Sequence, residues 1–391
     1  MQRKLVILLG AGASIPAKMP STAEITNLVL SGDSVWHHSN GTYYVDSKPR
    51  GETDEYVQAV TAFIAHIKSV IDAYYAANAR LATYEDIYYV VSQVDDSETG
   101  EYDNPAIHPL VQKINAATNG LRLPTPYEKS DGWRMIELAG EAVNYIRDIV
   151  WYSLSKRPHS LDYLKFLSDC IQSDACEWID LFTLNHDTII EQFFASNGVA
   201  VVDGFGLPLN NVRYWSPELY GNHTPKSLRL FKPHGSTNWF RFDYAPNVSL
   251  GIPLDGDPWH TKNPSGELRW PINGRPEMLV GRFNKMLEYT RPVYVDLQTQ
   301  FHRSLREADR MLISGYSFGD KAINTRIIEW INDASDRRIV LIHANLLSLR
   351  SSARPAVSSQ LDRWISQKRL LVIVTGIEAT QWSDVRNSLN E

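Results

Sequence analysis

Only two cysteines occur in this chain of 391 residues, Cys170 and Cys176. Two thiols cannot build a disulfide framework or a four-cysteine zinc site. Both fall in or near an apolar helical pattern, which reads as packing. The 11 histidines show no His-Glu-x-x-His or similar ligand spacing, so no metal is expected. Long hydrophobic runs are also missing. None approaches the ~18 residues of a membrane span, so no membrane partner is expected. Positive charge is not in excess either: 39 Lys and Arg face 45 Asp and Glu, a net charge of −6. That argues against a broadly basic surface and against direct nucleic-acid binding. The basic-plus-apolar start resembles a signal peptide, but the run Lys4–Leu9 is too short and Gly10-Ala11-Gly12 follows at once. It reads as a first strand in a chain expected to be cytoplasmic.

What is present is an alternation of strands and helices. Leu5–Leu9 is continuously apolar, the mark of a parallel strand buried on both faces. Ser21-Thr22-Ala23-Glu24 has capping-box spacing ahead of a helix. Further strands are predicted at 178–184, 199–202, 228–232, 239–242, 311–314, 339–343 and 370–374. Helices are predicted at 187–197, 294–307 and 321–332. Between the first strand unit and the rest lie amphipathic helices at 55–75, 84–94, 133–154 and 161–171, separated by polar loops at 95–105 and 119–130. The expected fold class is α/β, a doubly wound Rossmann-like parallel sheet with an inserted helical domain. Residues 1–45 and 176–391 are assigned to the sheet domain, and 46–175 to the insert.

Four motifs stand where apolar strands stop, the edge at which open α/β sheets bind ligands. Gly10-Ala11-Gly12-Ala13-Ser14 lacks β-carbons where backbone amides would approach a pyrophosphate, with Ser14 as a further donor. It is equally the composition of a tight strand-to-helix turn. No Gly-Lys-Ser/Thr follows, which excludes an ATPase P-loop. Thr183-Leu184-Asn185-His186-Asp187 opens a helix. Asp187 suits a helix cap, His186 an ordinary loop position, and Asn185 carries both donors and an acceptor for a ribose hydroxyl and a water. His234-Gly235-Ser236 sets a histidine between Pro233 and a glycine, where a side chain titrating near neutrality suits proton transfer. Gly315-Tyr316-Ser317-Phe318-Gly319-Asp320 is a second wall, Gly315 and Ser317 facing ribose or phosphates, with Asp320 read as a cap. Asn345, at the end of the next strand, is placed at the adenosine ribose.

Gly-Ala-Gly-Ala-Ser, Thr-x-Asn-x-Asp, His-Gly-Ser and Gly-x-Ser occur here in the order used by sirtuins, and the chain resembles that family over about 1–30 and 178–376. Leu184 replaces the Gln of the family motif. The four-cysteine zinc module of sirtuin deacylases is absent, and Pro20 is followed by Ser21-Thr22 instead of leading into an Asp-Phe-Arg run. The Gly-Tyr-Ser-Phe-Gly-Asp motif and the Tyr84-Glu85-Asp86-Ile87 helix are more similar to bacterial sirtuin-like NAD hydrolases of antiphage defence, above all the subunit that works with a HerA-type ATPase.

The resemblance implies an NAD+ glycohydrolase with NAD+ as substrate and no metal. Asn185 would orient the ribose and the water, and His234 would act as base. Asp187 would contact the nicotinamide amide or hold the loop. Gly10, Ala11, Gly12, Ala13, Ser14, Thr183, Gly315, Ser317 and Asn345 would bind the dinucleotide. A non-catalytic NAD or ADP-ribose sensor, a protein deacylase and a structural subunit are the alternatives. A homo-oligomer and a HerA-type P-loop ATPase partner are expected. Tyr74, Tyr75, Tyr84, Tyr88, Tyr89, Trp133, Tyr145, Trp151 and Tyr152 of the insert would supply contact surface.

Overall fold

The run Lys4–Leu9 forms a strand with every residue buried, as a continuous apolar segment demands. The computed structural model describes residues 4–45, 54–78, 80–101, 104–126, 128–173, 176–221, 228–244, 247–263, 265–281 and 289–390. Its strands are β1 (Lys4–Leu9), β2 (Val35–His37), β3 (Tyr43–Val45), β4 (Trp178–Thr183), β5 (Val201–Val202), β6 (Val212–Tyr214), β7 (Leu228–Phe231), β8 (Phe240–Tyr244), β9 (Asn247–Pro253), β10 (Thr261–Lys262), β11 (Leu268–Arg269), β12 (Arg310–Ser314), β13 (Arg338–Ile342) and β14 (Leu370–Ile373). Seven of them make one parallel sheet in the order β14-β13-β12-β1-β4-β7-β5. Helices flank this sheet, so the α/β class expected from the sequence is the class observed. The strands β6, β8 and β9 form a separate antiparallel sheet in the loop-rich stretch.

Chain order reverses at β1. The strands β4, β7 and β5 lie on one side of it, and β12, β13 and β14 on the other. Such a reversal leaves a crevice at the carboxyl ends of the strands. Registers bring those ends level: Leu9 pairs with both Thr183 and Ser314, and Phe182 pairs with Phe231. The four motifs therefore leave the sheet along one edge.

Among the described residues, the sheet interior is apolar apart from Thr183 and Ser314 at the strand ends and one charged cluster. Asp180, 1% exposed on β4, receives Arg229 Nε at 2.6 Å and Nη2 at 2.7 Å, and Lys4 Nζ lies 2.8 Å away. Arg229 and Lys4 stand on the two neighbouring strands, so a buried ion cluster ties three strands together. Burial pushes the Asp180 carboxyl up, but Arg229 and Lys4 outweigh it and hold the group below the usual carboxylate range.

The chain divides into two compact units, Met1–Met19 with Arg157–Met278 and Glu288–Glu391, and Pro20–Lys156 with Leu279–Leu287. Residues 46 and 175, where the sequence sets its domain limits, lie outside the described residues. The second unit holds the β2–β3 hairpin and the helices α1 (Thr22–Ser31), α2 (Glu55–Tyr75), α3 (Tyr84–Thr99), α4 (His108–Thr118) and α5 (Met135–Leu154). Residues 20–45 group with these helices for a physical reason. Tyr145 of α5 donates to the Val29 carbonyl at 3.0 Å, Thr26 Oγ1 accepts the Tyr84 amide at 2.9 Å, and Asp148 accepts the Tyr43 amide at 2.9 Å. The capping box at Ser21 forms as its spacing predicts. The helix α3 runs to Thr99, past the predicted stop, and α4 falls between the predicted loops at 95–105 and 119–130.

Of the insert aromatics, Tyr84 and Tyr145 are buried in this unit, whereas Tyr74 is 60% exposed. Among the described residues, no helix is long and apolar enough to cross a membrane.

Candidate functional site

The glycine loop follows β1 as a single turn of 3₁₀ helix, Ala11–Ser14. Its glycines are needed because another backbone lies against them. A β-carbon on Gly10 would meet the Gly315 carbonyl oxygen at 2.6 Å, and one on Gly12 would meet Gly315 Cα at 2.8 Å. Gly315 has φ of +66°, and its own β-carbon would sit 2.2 Å from the Ala13 nitrogen. The two loops of the crevice are thus packed backbone to backbone. Three amides expected to face a pyrophosphate are committed within the protein: Gly10 N–H to Ser314 O at 3.0 Å, Gly12 N–H to Gly315 O at 2.9 Å and Ala13 N–H to Gly10 O at 2.9 Å. Ala11 and Gly12 are the exposed part of the loop. Tyr163, in the 3₁₀ turn Asp162–Leu164 that precedes α6 (Lys165–Gln172), braces it by donating to the Ala13 carbonyl at 2.8 Å.

Asn185 is buried at the end of β4 and is held by its amide nitrogen. Nδ2 donates to the Gly10 carbonyl at 3.0 Å and to Ser14 Oγ at 2.8 Å. The Gly10 carbonyl can only accept, which fixes the amide's orientation. Ser14 Oγ in turn donates to Asp187 Oδ2 at 2.8 Å, and Asp187 Oδ1 accepts the Ile189 amide at 3.2 Å. A relay runs from the glycine loop through Asn185 and Ser14 to Asp187. Among the described residues, it leaves Asn185 Oδ1 buried with no hydrogen-bond partner. An orphaned buried acceptor costs about 1–3 kcal/mol unless something donates to it. A ribose hydroxyl or a water is the matching donor.

The remaining assigned residues divide in role. Thr183 is 1% exposed and its Oγ1 accepts the Asn185 amide at 3.2 Å, so it positions Asn185 from beneath. Asp187 is 5% exposed and engaged by Ser14 and Ile189. The helix α7 (Ile189–Ser196) starts later than the sequence suggests, after Thr188, whose side chain makes no cap bond, while Asp187 accepts the Ile189 amide. Ser317 is exposed on the second wall. Asn345 is spent on capping, its Oδ1 accepting the Ser348 amide at 3.0 Å. No hydrogen bond links Ser317 or Asn345 to the Asn185 relay among the described residues.

His234 follows β7 and is 3% exposed. Its Nδ1 lies 3.2 Å from the Leu184 carbonyl, an acceptor, so Nδ1 carries a proton and Nε2 is the nitrogen available for chemistry. Leu184 immediately precedes Asn185, so this bond sets the imidazole beside the amide. Nε2 faces the Tyr289 hydroxyl at 3.0 Å and Asp320 Oδ2 at 3.2 Å, and the hydroxyl lies 3.3 Å from that same Oδ2. Burial, and then the Asp320 charge, push the Tyr289 phenol up, keeping it protonated. Gly235 has φ of +80° and abuts the Glu277 carbonyl, which received the Ser236 amide at 3.0 Å. Thr237 N–H donates to the His186 carbonyl at 2.9 Å, tying the histidine loop to the asparagine loop.

Two supports escaped the sequence analysis. Lys232, 2% exposed, donates to the Asp187 carbonyl and pairs with Glu191 Oε1 at 2.9 Å. Nothing local marks it, although a lysine closing an apolar strand is a signal of sorts. Tyr289 sits far from every motif in sequence and carries no signal at all. Among the described residues, no group of three or more His, Cys, Asp or Glu is arranged to hold a metal.

A model of the SIR2-like domain matches residues 180–373. Among solved structures, a mutant Sir2 homologue in complex with ADP-ribose is similar at 11% identity, covering 100% of this chain and 93% of that chain, with a TM-score of 0.38. A Sir2 homologue in complex with NAD is similar at 12% identity, covering 99% of this chain and 90% of that one, also with a TM-score of 0.38. Comparison with curated protein sequences gives no match. The domain match takes in Asn185, Asp187, His234 and Asp320 but not the glycine loop. Residues 180–373, just under half of the chain, are similar to the SIR2-like domain.

Proposed function

We propose that this site hydrolyses the N-glycosidic bond of NAD+, releasing nicotinamide and ADP-ribose. The observation that carries the proposal is the orphaned Asn185 Oδ1, buried at the crevice edge beside His234. The bond to be broken joins the ribose C1′ to a cationic ring, a good leaving group. Cleavage develops oxocarbenium character, so the enzyme's tasks are to hold the ribose, exclude bulk solvent and place one water. Asn185 Oδ1 accepts from a ribose hydroxyl or that water. His234 Nε2 takes the proton lost as water adds to C1′, so the balance is NAD+ and water going to nicotinamide, ADP-ribose and a proton. Gly12, Ala11 and Ser317 form the exposed rim for the phosphates, and Ser14 and Asp187 hold Asn185 in register. No step calls for a metal.

The SIR2-like domain match supports an NAD-linked activity. The order of the motifs, and the Gly-Tyr-Ser-Phe-Gly-Asp form of the last one, support a place as the NAD+-depleting effector of a bacterial antiphage complex. In that reading the chain is a cytoplasmic homo-oligomer partnered by a HerA-type ATPase. With two cysteines in the whole chain, the deacylase alternative has no four-cysteine zinc module to rest on. Chromatography of NAD+ incubated with the purified protein, alone and with the ATPase of its genomic neighbourhood, tests the proposal. Equimolar nicotinamide and ADP-ribose are expected. Saturable binding with NAD+ left intact under both conditions would replace it with the sensor alternative. Light scattering tests the assembly, and a monomer unmoved by the ATPase would remove both the oligomer and the partner.

A further inference from the structure

The carboxylate of Asp320 is divided between two tasks. Oδ1 accepts the amides of Ala322 at 2.8 Å and Ile323 at 3.1 Å, capping the helix Lys321–Asp333. That cap fixes the direction of the other oxygen, and Oδ2 points at His234 Nε2, 3.2 Å away. The loop carrying Asp320 is itself braced, since Tyr316 accepts the Asp320 amide at 3.2 Å and donates to Asn324 Oδ1 at 2.8 Å. His234 is equally fixed, with Nδ1 bound to the Leu184 carbonyl.

We propose that Asp320 is the positioning residue of His234, orienting its ring and stabilising the imidazolium formed when Nε2 takes a proton. While the ring is neutral, the Nε2 lone pair and the Oδ2 lone pairs face one another, with the Tyr289 hydroxyl within reach of both. Once Nε2 is protonated, it has a carboxylate and a phenolic oxygen as acceptors. Both groups are largely shielded, with His234 3% and Asp320 11% exposed, so water screens the pair weakly. Asp320 therefore raises the proton affinity of the base. The proposal rests on His234 acting as the base of the reaction above, but the pairing exists whatever the substrate. Among the described residues, the titratable or charged groups near the pair include Tyr289, Tyr316, Arg354, whose Nε donates to the Gly319 carbonyl at 2.6 Å, and His186, whose ring centre lies 6.3 Å from that of His234. A substitution at Asp320 leaves all of them in place.

The test is Asp320→Asn, which keeps the size and a capping oxygen while removing the charge. Histidine titration by NMR on the full chain, with the His234 signal assigned by its loss in His234→Gln, reads the pair without any substrate. Loss of a carboxylate at this distance should lower the His234 pKa by about 1–3 units. The acid limb of the kcat/KM profile should move to lower pH with it, because the ring then stays deprotonated, and able to act as base, down to a lower pH. A purely structural cap moves neither. An unchanged His234 pKa in a folded Asp320→Asn protein overturns the proposal. Should that variant not fold, the wild-type titration decides: a His234 pKa above the ordinary value of about 6.5 upholds the pairing, and one at or below it overturns it. If the titration shifts while wild-type protein leaves NAD+ untouched, the pairing stands and the proposed reaction fails.

Discussion

Replacing Gly315 by alanine should break the crevice mechanically, before any ligand is considered. Two penalties add. The residue has φ of +66°, and a left-handed conformation costs an alanine about 1–2 kcal/mol relative to glycine. The new β-carbon would lie 2.2 Å from the Ala13 nitrogen and 2.7 Å from the Gly12 carbonyl carbon. Ordinary carbon contacts begin near ~3.5 Å, so the two loops must part by roughly 1 Å. Parting them gives up the Gly12 N–H bond to Gly315 O and the Gly10 N–H bond to Ser314 O. At about 0.5–1.5 kcal/mol each, these raise the total to about 2–5 kcal/mol, a large share of the about 5–15 kcal/mol of a typical domain. With a urea slope of about 2 kcal/mol/M, the unfolding midpoint should fall by about 1–2.5 M. Gly206→Ala is the control. Its β-carbon would meet only the Tyr214 carbonyl oxygen, at 3.8 Å, and its stability should stay within about 0.5 kcal/mol of wild type. A Gly315→Ala protein with a wild-type midpoint would refute the loop-on-loop argument. If it also lost nucleotide binding, Gly315 would instead serve close approach of a ligand.

Ser14→Ala should remove the bridge between Asn185 and Asp187, lowering turnover more than stability, as read by initial rates beside a thermal melt; unchanged rates would dismiss the relay. His234→Ala should lower kcat by about 10²–10⁴ with less effect on ADP-ribose affinity, and the reverse pattern in kinetics and calorimetry would make His234 a binding group. Asp180→Asn takes the buried anion from Arg229 and leaves Lys4 with Glu307 alone, at a cost of about 3–5 kcal/mol at pH 7 in urea unfolding. Because the Asp180 pKa is depressed on folding, its contribution is present above the unfolded value of about 3.9 and is lost as pH falls through the lower folded value. The gap between wild type and variant should therefore close in acid, and a gap constant down to pH ~2 would contradict the assignment. Nicotinamide release should survive EDTA, and stoichiometric zinc by elemental analysis together with loss of activity on chelation would overturn the metal-free mechanism.

The sheet was legible because its strands are apolar on both faces. Leu5–Leu9, Met311–Ser314 and Ile339–Ile342 need no partner to declare themselves, and parallel pairing follows from the helices between them. Asn185 and His234 could be placed at strand ends because each follows a strand by two or three residues, while a turn residue and a structural histidine were the competing readings of the same sequence. What the sequence concealed lies across space. Gly10 and Gly12 read as a phosphate loop, yet their missing β-carbons also admit Gly315, some 300 residues away in the chain. Asp320 read as a helix cap and is one, but only the fold reveals that its second oxygen meets His234. Tyr289 could not be found, since a lone tyrosine outside every motif gives no signal of its own. The capping box at Ser21 was legible, yet the unit that α1 joins depends on the distant hydrogen bond from Tyr145.

The central claim is that Asn185 Oδ1 organises hydrolysis of the NAD+ glycosidic bond. It is tested most directly by timing nicotinamide release from NAD+ by wild type and Asn185→Ala, with ADP-ribose binding to both measured by calorimetry. The truncation also frees Gly10 O and Ser14 Oγ of a donor, so a stability loss of about 1–3 kcal/mol is expected with the fold retained. The account predicts that wild type releases nicotinamide and ADP-ribose in equal amounts, and that the variant still binds ADP-ribose but releases nicotinamide at no more than ~1% of the wild-type rate. Wild-type turnover by a folded Asn185→Ala protein would contradict it.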